Sequence, residues 1–189
     1  MAGTGSLLGK YREIIVAVGL FLLFDLTVLG LNIYTSLQVA SDAVSINLAG
    51  RQRMLSQRMT KSVLELDANA RAGVSLAAAQ QELQLSLQLF DSTLRGFRQG
   101  GAVTGGAGDQ AQLKAVDSAS GRALLQQAEQ IWQPLLPLLQ PLASGQPSPM
   151  QIGQAAQQIR SQNPALLKLM NDLTSSLEQD ARNRARMLW

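Results

Sequence analysis

The stretch INLAGRQRMLSQRM, residues 46–59, carries Arg51, Arg53 and Arg58 and no carboxylate. A guanidinium is a planar fork of N–H donors that stays charged at any physiological pH, so its chemistry is anion recognition, not proton transfer. The chain has no histidine and no cysteine. That removes imidazole bases, thiol nucleophiles, disulfides and the usual zinc ligands. No base–nucleophile set converges anywhere, so the reading is a binding module and not an enzyme, with no metal and no cofactor.

Placing the arginines on a helix narrows what they could bind. At about 100° per residue, Leu37, Val44, Leu48, Leu55, Met59 and Leu66 form one apolar stripe, and Val39, Ile46, Ala49 and Leu64 form a second, nearly opposite. Arg53 falls within the second stripe, beside Gly50 and Gln57. Arg51 and Arg58 fall between the stripes, near Glu65. One face can bury in the chain's own core, and the other then calls for a second surface, most simply the same helix of a second subunit. Two Arg53 charges roughly 6 Å apart across a two-fold axis would repel by about 3 kcal/mol at an effective dielectric near 20. A small anion between them relieves that repulsion and accepts hydrogen bonds from both forks. Gly50, one turn earlier, leaves room for close approach. The alternative is that the arginines are merely solvated, lying along the helix surface with an Arg58–Glu65 neighbour pair.

The elements that would position this helix are themselves helical. Only 4% of the 189 residues are aromatic, and Ala, Leu and Gln dominate, which favours helix over sheet. The run IIVAVGLFLLFDLTVLGLNIY, 14–34, is long enough to cross a bilayer, with Asp25 in mid-span. It is too long for a signal peptide and lacks a clean small-residue cleavage site, which favours an uncleaved anchor. Lys10 and Arg12 before it place the N-terminus inside. The expected division is a cytoplasmic segment over 1–13, a transmembrane helix over 14–34 and a periplasmic sensor bundle over 35–189, anchored in the inner membrane. The net charge is +3 and the pI about 9.7, but the cations form no long run, and a nucleic-acid partner is not expected.

Beyond the span, the first helix should continue to about residue 69, with Gly73 as its C-terminal cap. A second should bury Leu76, Leu83, Leu87, Phe90, Leu94 and Phe97. Residues 99–110, QGGAVTGGAGDQ, read as a flexible connection, and no useful β alternation is visible. A third helix should cover 111–142, bent or frayed by Pro134, Pro137 and Pro141. Ser148 with Pro149, and Asn163 with Pro164, each read as helix starts. The last helix has apolar Leu166, Leu169, Met170, Leu173, Leu177, Ala181 and Leu188. The fold class is therefore all-α: one N-terminal transmembrane helix continuing into an up-down four-helix bundle.

The stretch DAVSINLAGRQRMLSQRM, 42–59, also resembles a known motif. It looks like the P box of the NarX/NarQ nitrate-sensor kinases, and closer still like the N-terminal sensor domain of the type IV pili methyl-accepting chemotaxis transducers (PilJ). Asp42, Ala43, Ile46, Asn47, Ala49, Gly50, Arg53, Met54, Ser56, Arg58 and Met59 carry the match, and NPALLKLMNDL, 163–173, looks like the family's second half. The resemblance implies a periplasmic four-helix sensor that dimerises, with Gly50 and Arg53 holding nitrate across the dimer axis. Ala49, Asn47, Gln57, Arg51 and Arg58 would support them. Arg51 and Gln52 depart from the nitrate sensors, which have a small polar and an apolar residue there, so the ligand of this branch need not be nitrate.

Family members continue through a second membrane helix into a kinase, cyclase or chemotaxis module. This sequence ends at RNRARMLW, which reads as a fragment or a single-span accessory subunit. Arg182, Arg184, Arg186 and Trp189 there read equally as a basic, aromatic membrane edge or as ordinary cations at a helix C-terminus. The sequence thus points to a membrane-anchored sensor for a small anion such as nitrate or nitrite, homodimeric through its first helix and relaying to an output protein. The competing reading is an interaction subunit that docks a membrane transducer or pilus-linked component through the same helix face.

Overall fold

The computed structural model describes residues 5–105 and 108–187. Its elements are α1 (Gly5–Ala72), α2 (Ala77–Gln99), β1 (Gly101–Thr104), β2 (Gln110–Leu113), α3 (Ala119–Ser144) and α4 (Pro149–Met187). The chain divides into two compact units, residues 1–40 and 41–189.

In the first unit α1 bears apolar side chains around its whole circumference over residues 14–34, interrupted by Asp25, Thr27 and Asn32. Ile14, Leu20, Phe21, Phe24, Leu26 and Leu31 are all exposed within the chain, and the helix is long and apolar enough to cross a membrane. Its two threonine hydroxyls in this unit are satisfied locally: Thr27 and Thr35 each donate to the carbonyl four residues back, at 2.8 Å. That pairing is what an apolar surrounding requires of a polar side chain.

In the second unit four helices enclose one core. From α1 come Leu48, Leu55, Met59, Val63 and Leu66; from α2, Leu83, Leu87, Phe90, Leu94 and Phe97; from α3, Leu125, Trp132, Leu135 and Leu139; from α4, Ile152, Ile159, Leu166, Met170 and Leu173. Each set recurs at three-, four- and seven-residue spacing, so one stripe of each helix faces inward. Phe90 and Trp132 meet with ring centroids 4.5 Å apart, and the Trp132 indole N–H donates to Asp91 at 3.0 Å.

The helix ends follow capping chemistry. Gly73 has φ +67°, and the Val74 N–H donates to Asn69 O at 2.9 Å, the six-to-one bond of a Schellman cap. Ser118 caps α3 by accepting from the Gly121 N–H. At α4, Ser148 Oγ accepts from the Gln151 N–H while Gln151 Oε1 accepts from the Ser148 N–H, a reciprocal capping box.

Three sequence expectations are corrected. The Gly-rich connection contains an antiparallel hairpin, pairing Gly101 with Leu113 and Thr104 with Gln110. It buries Val103 and Leu113 against α2, where Gly96 has no side chain to obstruct them: a Cβ there would lie 2.6 Å from Val103. The third helix consequently starts at Ala119, not near residue 111. No separate helix begins at Asn163, because Pro164 lies inside a continuous α4.

Pro164 is exposed, as are Pro134, Pro137 and Pro141 within α3. Each removes one hydrogen bond, to the carbonyl four residues earlier. Those carbonyls belong to Arg160, Gln130, Gln133 and Pro137, all exposed residues, so the loss falls on the wet side of each helix. The α3 prolines leave the helix continuous to Ser144. Leu188 and Trp189 lie outside the described residues.

Candidate functional site

Helix α1 gives one side to the core and leaves the other uncovered. Asn47, Arg53, Met54, Gln57, Lys61 and Glu65 are exposed. On a helical projection these positions span about 120°, from Arg53 on one flank to Asn47 and Glu65 on the other, with Gly50 at the centre. A methyl group added at Gly50 would meet no atom within 4 Å, so the missing side chain is not required by packing within the chain. From Ala43 to Leu64 no residue is acidic, while Arg51, Arg53, Arg58 and Lys61 are basic.

The three arginines have different surroundings. The Arg53 side chain is exposed and has no hydrogen-bond or ion-pair partner among the described residues. Arg58 pairs through Nε with Glu82 of α2 at 3.4 Å. The expected partner Glu65 is not the one it takes, because the turn after α1 lays α2 antiparallel along it.

Arg51 is not solvated. It donates to the carbonyls of Thr104 and Gly105, both at 2.5 Å, and to Thr93 Oγ1 at 3.2 Å. Burial lowers its pKa from the ordinary arginine value, and among the described residues its charge faces carbonyl and hydroxyl dipoles only. Arg51 thus ties the end of β1 to α1.

The second apolar stripe is also redistributed. Ala49 is fully buried in the chain's own core, Ile46 and Leu64 are partly buried against it, and Val39 is exposed. The outward face is accordingly centred on Gly50 and Gln57, with Arg53 at its margin. Sequence reasoning missed Gln52, which is fully buried and donates from Nε2 to Phe90 O at 2.9 Å. It also missed Thr93 and Glu82. The signal for Gln52 was available: it lies four residues before Ser56 and three before Leu55, on the inward side.

At the far end of α4, Arg184 donates to Asp42 of α1 at 2.8 Å, and Arg182 lies 3.7 Å from Glu178.

Helix α1 of this bundle thus carries Arg53 and Lys61 on the side that the rest of the chain leaves exposed. Residues 34–158 match the family described as the type IV pili methyl-accepting chemotaxis transducer N-terminal domain, PilJ, and the chain belongs to that family, a non-enzymatic receptor kind. Among solved structures, the ligand-binding domain of the P. aeruginosa nitrate receptor McpN is similar at 24% identity and a TM-score of 0.41. The likeness covers 72% of this chain and 95% of that one. No curated protein matches.

Proposed function

We propose that this chain is the signal-input part of a membrane-anchored receptor, binding a small oxyanion, nitrate or nitrite first, between two copies of α1. The observation that carries the reading is the Arg53 side chain: exposed, unpaired among the described residues, and set at the margin of an uncovered face that bears no acid from Ala43 to Leu64. Gly50, at the centre of that face, permits close approach of a second backbone. Ala43, Asn47, Gly50, Met54, Gln57, Lys61, Leu64 and Ala68 recur at alternating four- and three-residue intervals, the spacing of a two-helix seam. Asn47 and Lys61 would occupy the positions where one polar residue sets register and pairing at some cost in stability.

In this reading the span near the N-terminus lies in the inner membrane with residues 1–13 inside, and the bundle, residues 35–189, is periplasmic. The signal passes to a kinase, cyclase or chemotaxis partner. Thermal melts of the chain in detergent test the site. Nitrate or nitrite at constant ionic strength should raise the midpoint, with perchlorate as the screening control. Arg53→Ala should abolish the rise. If no oxyanion shifts the wild type and Arg53→Ala only destabilises it, the α1 face is a docking surface for a protein partner instead.

A further inference from the structure

We propose that Arg58 is the second cationic group of the anion site, reaching across the seam to Arg53 of the other copy, and that Glu82 is the internal carboxylate the anion displaces. This rests on the dimeric reading above.

The geometry starts from the two flanks of the uncovered face. Relative to Gly50, Arg53 projects about 60° to one side and Arg58 about 80° to the other. In a parallel pair related by a two-fold axis, opposite flanks of the two helices meet, as the e and g positions of a coiled coil do. Arg53 of one copy therefore faces the Arg58 flank of its mate, about 7.5 Å further along the axis at 1.5 Å per residue. Both side chains are long enough to close that gap onto a small ion. The pair occurs twice in the dimer, and each would be two like charges with nothing between them.

Within its own chain Arg58 already has an acidic partner. Its Nε lies 3.4 Å from Glu82 Oε1, and both side chains remain well exposed, at 40% and 37%. Such a pair is weak in water and readily exchanged. It also uses one nitrogen edge, and no other contact of the Arg58 fork is recorded among the described residues. The Arg51 guanidinium on the same flank is held by Thr93, Thr104 and Gly105, so Arg58 is the cation there that is free to turn. A planar oxyanion can accept from two guanidinium forks at once, whereas Glu82 is tied to α2 and cannot move to the seam centre. Anion binding and the Arg58–Glu82 pair thus compete for one guanidinium.

Calorimetric titration of the 189-residue chain in nanodiscs with sodium nitrate, at constant ionic strength, tests this. Glu82→Gln should tighten nitrate binding by roughly two- to fivefold, the range of an exposed ion pair. Arg58→Gln should weaken it by about tenfold or more, the scale of a charge-assisted hydrogen bond. The double variant should bind like Arg58→Gln alone, because Glu82 acts through Arg58. A gain of affinity cannot come from a folding defect. If Glu82→Gln binds no more tightly, or its gain survives in the Arg58→Gln background, the inference is overturned while the Arg53 site stands. If Arg53→Ala binds as well as wild type, or wild type binds no nitrate, the underlying site fails and the inference with it.

Discussion

Arg184 and Asp42 lie 142 residues apart in sequence and 2.8 Å apart in space. The pair fastens the last turns of α4 to α1, three turns before Arg53. Arg184→Ala should therefore cost about 0.5–1 kcal/mol, as a part-exposed bidentate pair does. Chemical denaturation should show no further loss when Asp42→Ala is added, apart from what Asp42 contributes through its other contacts.

Arg51→Ala removes three donors from Thr93, Thr104 and Gly105 and leaves two carbonyls short. A loss of about 1–3 kcal/mol is expected. Hydrogen exchange should quicken in residues 101–113 before it does in α3. Nitrate should still raise the melting midpoint, because Arg51 is committed to the hairpin; loss of that response without loss of the fold would reassign Arg51 to the ligand.

Cysteines report the packing face directly, since the chain has none of its own. Under mild oxidation Lys61→Cys, on the uncovered face, should give a disulfide-linked dimer. Ser62→Cys, fully buried in the core, should not. Equal yields would reject the face.

The charge before the span, Lys10 and Arg12, predicts the topology. Alkaline phosphatase fused after Trp189 should be active in a Gram-negative host, because the enzyme matures only outside the cytoplasm. A stable but inactive fusion would reverse the orientation.

The sequence was legible where local chemistry decides the outcome. Gly73 ends α1 because only a left-handed residue closes that cap, and Ser148 with Pro149 opens α4. The α2 stripe from Leu76 to Phe97 repeats for six turns, long enough to read. The hairpin was not legible, because four-residue strands are too short to show alternation and Gly101–Thr104 is stabilised by Gly96 of another element. Pro164 misled for the opposite reason. It follows a good capping residue, but burial of Ile159 on one side and Leu166 and Met170 on the other keeps the helix running. At the candidate site, the motif singles out Arg53 and Gly50 as the residues to test. The partners of Arg51 lie 42, 53 and 54 residues away along the chain and that of Arg58 lies 24 away, so none could be inferred from spacing.

Trp132 has one more consequence. The chain holds two tryptophans; Trp132 is buried and touches Phe90, whose carbonyl is gripped by Gln52, the neighbour of Arg53. Replacing Trp189 by phenylalanine would leave a single indole, wired by two contacts to the helix that bears the cations. A small turn of that helix would alter the polarity around the ring, and the emission wavelength would read it without any added dye.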